Sequence, residues 1–457
     1  MRLSRRDVLS GLAASATLPS LSWAATPRVL TATAAQVQLA PQGYPETQIW
    51  GYDGQVPGPV LRARQGDLFQ VDLVNDLREP TTIHWHGIRL PNAMDGVPGM
   101  TQAAVPPGGR FRYEFRVPDA GTYWYHPHFN SVEQISRGLS GVLIVDEAEP
   151  SQIDAEHAIV LDDWRLTQEA GFVTPFDHRH DLSHAGRIGN YVTANGQDQL
   201  SLTARSGDRL RLRLVNIATA RIFDLALSGL RGWVVALDGM PLDAPQQMER
   251  LLLAPAQRAD IIADVTAASG QEAFLVSVER GEGFAMASIT VQGQTDHDLL
   301  AVPDPLPPNE MPNLDLGAAR VTELVMQGGA MRGMQSARWQ GQEMSMRELV
   351  QNGQFWSFNG VAGMTDTPLL TAARGETVRI PIQNQTAFPH AMHLHGHHFR
   401  EVLADGALGP WRDTLLVHAD ETRHIAFVAD NPGDWMFHCH MLSHQMAGMM
   451  SWIRVTA

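Results

Sequence analysis

The chain has 457 residues, a formal net charge of −15 and 44% hydrophobic residues, with one cysteine, 19 histidines and no lysine. One cysteine excludes an intramolecular disulfide and a Cys-rich zinc or iron–sulfur site. The missing lysine excludes Schiff-base catalysis and a Walker-type phosphate loop, and an acidic chain is a poor partner for nucleic acid, whose phosphates demand a basic face.

At the start of the chain, Ser4-Arg5-Arg6-Asp7-Val8-Leu9 precedes a weakly apolar stretch ending near Ser22-Trp23-Ala24. Residues 1–24 read as a twin-arginine signal peptide, an address that carries an already folded protein to the periplasm. No other segment reaches the ~18 apolar residues of a membrane span, so no membrane partner is expected. Further along come short alternating strands, at Val71-Asp72-Leu73-Val74, Leu210-Arg211-Leu212-Arg213-Leu214 and Val378-Arg379-Ile380-Pro381-Ile382. They are broken by Gly, Pro, Asn and Asp, with few long helical stretches, which predicts β-sandwiches.

A repeat organises these strands. Gly66-Asp67, Gly207-Asp208 and Gly375-Glu376 each precede a strand that ends nine residues after the glycine, at Asn75, Asn216 and Asn384. Three homologous domains follow, expected at 28–148, 156–298 and 318–457. An acidic linker runs from Asp146 to Ala158 around Pro150. A stiff connector at 299–317 carries Pro303, Pro305, Pro307, Pro308 and Pro312.

The repeat also organises the histidines. Nine residues after Asn75 and Asn384 stand His84-Trp85-His86 and His393-Leu394-His395, whereas nine after Asn216 stands Leu225-Ala226-Leu227. Five residues after Gly121 and Gly433 come His126-Pro127-His128 and His438-Cys439-His440. On a strand, residues i and i+2 share a face, so each His-x-His presents two imidazoles together. Four pairs from two pseudo-symmetric domains make eight imidazoles, too many for one metal, and the middle domain reads as a spacer without ligands.

His438 and His440 facing one way puts Cys439 on the other side of its strand, at a second site back to back with the first. His444, Met449 and His390 lie near it in sequence. Two His, one Cys and a weak Met form the blue-copper electron-transfer set, which zinc fits less well. One-electron donors would feed the thiolate site, and electrons would pass through Cys439 to its neighbours His438 and His440. A multi-electron acceptor, dioxygen, would be reduced at the histidine cluster.

These motifs resemble the multicopper oxidases, the family of laccases, bilirubin oxidases and bacterial copper-tolerance oxidases, over residues 28–457. The resemblance implies three consecutive cupredoxin-type Greek-key domains, all-β, and four copper ions. It implies type 1 copper at His390, Cys439, His444 and axial Met449, and type 2 copper at His84 and His393. One type 3 copper would take His86, His126 and His440, and the other His128, His395 and His438. The complete ligand set separates the chain from the copper-free cell-division relatives of this fold. An axial Met rather than Leu or Phe implies a lower type 1 potential. Asp95 matches the family's acid near the cluster, associated with proton delivery; its plainer reading is a turn aspartate before Gly96. Where a second acid often follows the type 1 histidine, this chain has Gln445, and Leu442 is not acidic either. Family members of three domains are commonly monomers.

The donor is expected to be a small molecule, phenolic or aromatic as for a laccase. Cu(I) is the alternative, prompted by Met326, Met331, Met334, Met344 and Met346 falling in 21 residues; packing in a hairpin or short helix explains such methionines equally. A non-catalytic copper-binding protein is a further alternative. A copper nitrite reductase resembles a two-domain trimer without a trinuclear centre and does not need four His-x-His pairs. His178, His180 and His184 read as a solvated loop, His397 and His398 as packing behind the copper motif. The segment Trp411-Arg412-Asp413-Thr414 reads as a strand with no assigned role.

Overall fold

The computed structural model describes residues 27–149, 151–296 and 301–457. The expected signal segment 1–24, Pro150 and residues 299–300 of the connector lie outside the described residues.

Three β-sandwiches follow one another. In the first, a sheet ordered Thr47–Tyr52, Arg28–Val37, Leu68–Asn75, Arg110–Arg116 packs on a sheet ordered Leu61–Arg64, Gly141–Asp146, Gly121–His126, His84–His86. The second pairs a six-stranded with a five-stranded sheet. The third sets Leu370–Ala373, Met450–Thr456, Gly433–Cys439, His390–Leu394 and Thr414–Val417 against a larger sheet containing Thr377–Asn384 and Thr422–Val428. Alternate side chains of facing sheets fill each interior. Leu30 and Val71 meet Trp85 and Leu143 in the first, and Ile380 and Phe427 meet Met392 and Phe437 in the third. These two interiors belong to one continuous apolar cluster, while the second sandwich has its own around Leu212, Leu225 and Ile261. The first and third sandwiches thus meet as one body.

The repeat has the same physical basis in all three sandwiches. Gly66, Gly207 and Gly375 take φ of 87°, 92° and 85°, a left-handed turn that side chains disfavour. The acid after each glycine accepts the backbone N–H three residues back, Asp67 from Arg64, Asp208 from Arg205 and Glu376 from Ala373. The closing asparagine accepts the N–H two residues on, from Leu77, Ala218 and Thr386, an Asx turn. Its amide donates to further carbonyls, of Glu79 and Val105, of Arg221 and Leu253, or of Phe388, Val417 and His418. The motif is therefore a turn into the strand and a turn out of it.

The strand Arg209–Asn216 departs from the usual meaning of alternation, because all of its residues are buried. Arg211 and Arg213 face the first sandwich instead of water, at Glu147 and Thr122, while Arg209 pairs with Asp264 and the Ala301 carbonyl. Arg211 and Arg213 share Asp260 at 2.6 and 2.9 Å, and Thr122 of the first sandwich donates to the same carboxylate at 2.6 Å. A planar guanidinium fork suits such buried pairing. The following strand boundary also differs from expectation: Ala155–Trp164 starts inside the acidic linker, because Ala155 pairs in parallel with Leu210. The connector is extended and packed, not free. Leu306 is buried against Val235, Ala236 and Ile262, and Asn309 exchanges hydrogen bonds with the Ala120 backbone at 2.8 and 2.9 Å. Among the described residues no helix is long and apolar enough to cross a membrane.

Candidate metal centres

Strand register brings the histidine pairs together. His84 lies opposite His126 in the first sandwich, and His393 lies opposite His438 in the third. The two sandwiches then interleave their rings. His84 stacks on His395 at 3.9 Å and His86 on His393 at 3.7 Å between centroids. Seven of the eight histidines are at most 1% exposed, and only His128 is partly open.

Hydrogen bonds select which nitrogen of each ring is left over. The Nδ1–H groups of His84, His126, His393 and His438 donate to the carbonyls of Asp95, Pro127, Asp413 and Cys439. His395 donates Nδ1–H to Asp95 Oδ2 at 2.9 Å. The Nε2 atoms of His395 and His438 therefore face one another at 3.1 Å without a proton between them. His86 is reversed: its Nε2–H donates to Asp413 Oδ1 at 3.1 Å and its Nδ1 is left over. The left-over nitrogens of His84, His86, His128 and His393 are buried and unpartnered. Inward lone pairs without donors are costly and are satisfied by cations, so the residues present fit a metal cluster.

The thiolate site has the same logic. Alternation along Gly433–Cys439 turns Cys439 away from its flanking histidines, and its Sγ lies 3.6 Å from His390 Nδ1 and 3.8 Å from His444 Nδ1. Those two Nδ1 atoms are 3.0 Å apart. The outer nitrogens are occupied, His390 Nε2–H by Thr386 Oγ1 at 2.8 Å and His444 Nε2–H by the His184 carbonyl at 2.6 Å. Thr386 is in turn held by Asn384, the repeat asparagine, at 2.8 Å. His444 rides on the short helix Leu442–Met446. Met449, fully buried, fixes the return: it gives its N–H to the His444 carbonyl and accepts the Cys439 N–H.

Burial sets the protonation states. It holds His86, His126, His128, His390, His395, His438 and His440 well below the ordinary imidazole range, and brings His444 down to about 4. It pushes the Cys439 thiol up to about 12. The imidazoles are thus neutral and ready to ligate, whereas the thiol gives up its proton only to a cation that replaces it.

Three contributors escape the sequence motifs. Asp413, fully buried, accepts from His86 and, through its carbonyl, from His393. Arg258 of the middle sandwich clamps it with contacts of 2.9 and 2.5 Å. Burial works against this carboxylate, but Arg258 and then His86 outweigh it and hold Asp413 well below the usual range. The third is Trp356, whose ring lies 4.5 Å from His444 and 5.2 Å from His390 and whose Nε1–H donates to Leu182. The only advance signal was charge placed inside strands beside apolar runs.

The middle sandwich is therefore more than a spacer. Its helix Arg179–Ser183 covers the thiolate site, with His184 holding His444. His180 and His184 stack at 3.9 Å on the outside of that cover. His397 and His398 are buried behind the cluster, bonded to the carbonyls of His395 and Asp238. Asp95 touches His84 and His395. Gln445 is buried beside His128, with its Nε2 on Met436. The five clustered methionines are dispersed. Met326 is in the core, Met334 and Met344 pack on Ala337 and Leu349, Met346 lies against the main interior, and Met331 is 85% exposed.

This combination of three sandwiches, a thiolate site and an eight-histidine cluster has relatives across its whole length. Multicopper oxidase family models match residues 33–150, 155–294 and 339–457. The chain is 32% identical to the multicopper oxidase MmcO of Mycobacterium tuberculosis, over 98% of this chain and 96% of that one. It is 27% identical to copper resistance protein A of Pseudomonas syringae pv. tomato, over 99% of both. Among solved structures, Lac15 from a marine microbial metagenome is 44% identical with a TM-score of 0.78, covering 94% of this chain and 100% of its own. A multicopper oxidase from Pseudomonas thermotolerans is 33% identical with a TM-score of 0.82, covering 94% and 99%. The chain belongs to the multicopper oxidase family, and is a copper-dependent oxidoreductase with dioxygen as acceptor.

Proposed function

We propose that the protein is an exported multicopper oxidase that draws one electron at a time from a small donor. Four copper ions would supply the redox chemistry, joining four one-electron oxidations at type 1 copper to reduction of dioxygen to water at a trinuclear cluster. His390, Cys439, His444 and Met449 would hold type 1 copper, and His84 and His393 type 2. His86, His126 and His440 would hold one type 3 copper, and His128, His395 and His438 the other. The observation that carries this reading is the pair of facing, unprotonated nitrogens at each site, joined through Cys439 and its covalent neighbours.

The chain's own residues have separate tasks. Asp413 and Asp95 fix ring orientations, which keeps the inward nitrogens in place. Asp95 also places a carboxylate beside the cluster, where it delivers protons to the acceptor. Gln445 cannot do so from the opposite side. The His184 carbonyl, on His444 Nε2–H, is the polar link from the thiolate site to the surface and serves as the entry for electrons. The domain limits 28–148, 156–298 and 318–457 stand with this proposal, as do twin-arginine export to the periplasm and a monomeric state.

A phenolic or aromatic donor, as for a laccase, is the first reading. Cu(I) is the second, favoured by the His180–His184 pair and by the backbone bond from Ala330 to Ser183, which sets the exposed Met331 segment beside it. Dioxygen uptake with each donor tests both, in the wild type and in a His180→Ala/Met331→Leu variant. Loss of cuprous turnover alone supports the second reading; no uptake with either donor, after full copper loading, rejects the oxidase.

A further inference from the structure

A cavity of about 660 Å³ lies between the first and third sandwiches, and His128 is in its wall. His128 is also the single partly open member of the eight-histidine cluster, and its Nε2 is buried without a partner. What reaches the cluster from solvent through this cavity meets His128 first.

The wall has an unusual chemistry. Five of its eighteen residues are methionine, namely Met100, Met364, Met436, Met446 and Met450, against 19 methionines in the 457 residues of the chain. None of them belongs to the run Met326–Met346 that stands out in the sequence. Met364 and Met446 are each 39% exposed at the rim, Met100 and Met450 are partly buried, and Met436 is buried next to Gln445. Thioethers left in water serve no core. Carboxylates are scarce: Asp434 is committed to Arg454 by bonds of 2.7 and 2.8 Å, which leaves Asp366 beside the neutral oxygens of Asn130, Ser131, Thr365 and Gln445. A passage rich in thioethers and poor in free carboxylates prefers Cu(I) to Cu(II), Mg²⁺ or Ca²⁺.

We infer that this methionine-lined cavity is a Cu(I) capture site through which the histidine cluster receives its metal, with His128 as the first imidazole met. The inference rests on the reading of the eight histidines as a trinuclear copper cluster. Filling is a ligand exchange, thioether for imidazole, with no change of oxidation state. The thiolate site lies under the helix Arg179–Ser183 and fills by another route.

The test uses the full chain stripped of copper. Wild type and a Met100→Leu/Met364→Leu/Met446→Leu/Met450→Leu variant are loaded without dioxygen from chelator-buffered Cu(I), and separately from Cu(II). Bound copper is counted over time, and blue colour after admission of air reports the thiolate site. The variant is expected to fill the histidine cluster at least tenfold more slowly from Cu(I), with wild-type rates at the thiolate site and from Cu(II). Equal rates from Cu(I), or equal slowing from both oxidation states, would overturn the inference, the latter because it marks a narrowed passage. A wild type that binds fewer than four copper ions from either source overturns the trinuclear reading and this inference with it. Should the fourfold variant fail to develop colour, the rim pair Met364→Leu/Met446→Leu, outside any core, gives the same comparison.

Discussion

The middle and third sandwiches share one frame and use it for opposite ends. Both open a strand with a left-handed glycine and an acid, and both close it with an asparagine that ties several backbone groups. Nine residues on, the third has His393 and His395 where the middle has Leu225 and Leu227. Leu225 is buried in the core of its own sandwich, whereas His393 and His395 reach across to rings of the first. The frame is thus indifferent to what its loops carry, and metal chemistry is a graft on it. What the middle sandwich contributes instead is cover and charge, from His184 above the thiolate site and Arg258 behind the cluster.

The largest effect that would break this division is at Cys439. Cys439→Ser removes the thiolate, so blue colour and turnover with external donors are both abolished while histidine-bound copper remains. Visible absorption and a copper count check this. A variant that keeps turning over would mean that electrons enter the cluster without the third sandwich's thiolate.

Next is the reach of the middle sandwich into the cluster. Arg258→Met leaves the Asp413 carboxylate buried and unpaired, at a cost of about 3–5 kcal/mol. His86 and His393 lose their fixed partner, and copper bound per chain falls. The Arg258→Met/Asp413→Asn double variant recovers stability, because no charge is left stranded, but not the copper. Denaturant midpoints and metal analysis separate these outcomes. If Arg258→Met alone binds four copper ions at wild-type stability, the middle sandwich is a spacer after all.

The fold and the gathering of the histidine pairs were legible because each is periodic. Nine-residue spacing from Gly to Asn and five-residue spacing from Gly to His depend only on local turns and strand alternation, which sequence expresses directly. Arg258, Asp413 and the His184 carbonyl were not legible. They are 155 or more residues from what they hold in most cases, as with Arg258 to Asp413, and a backbone carbonyl has no side chain to announce it. Likewise the Leu-Arg alternation of 210–214 reads as a strand, and such alternation ordinarily means one wet face. Only the docking of the first sandwich on that face turns its arginines into buried partners of Asp260. The methionines show the converse failure: nearness in sequence from Met326 to Met346 does not survive folding, and the cavity beside His128 gathers a different set.

Acid opposes the fold at the thiolate site. His444 is held near 4 when folded and returns to about 6.5 when unfolded. The unfolded chain therefore binds a proton that the folded chain refuses, and the copper-free protein loses stability as pH falls from about 6.5 to 4. The loss is roughly 3 kcal/mol for this residue. Unfolding midpoints of the copper-free protein against pH measure it; a flat profile across that window contradicts a neutral, buried His444. Smaller again is Asp95→Asn. Asparagine still accepts the His395 Nδ1–H, so colour and copper content hold while the acid is lost. Turnover falls about a hundredfold, and a solvent isotope effect on dioxygen uptake distinguishes lost proton delivery from lost geometry.

The smallest effect compares the two sandwiches most directly. Asn216→Ala and Asn384→Ala delete the same device, leaving buried groups unsatisfied at about 1–3 kcal/mol each. The two stability losses are expected to be alike, because the same turn is undone in each. Only Asn384 continues into the metal site, through Thr386 Oγ1 to His390 Nε2. Asn384→Ala therefore frees the threonine hydroxyl to turn, and the position of the blue absorption band shifts, while Asn216→Ala leaves the band where it was. Matched unfolding midpoints with a band shift in one variant alone separate the frame from its graft. A shift in both would mean that the middle sandwich senses the thiolate site through its own strand ends and not only through His184.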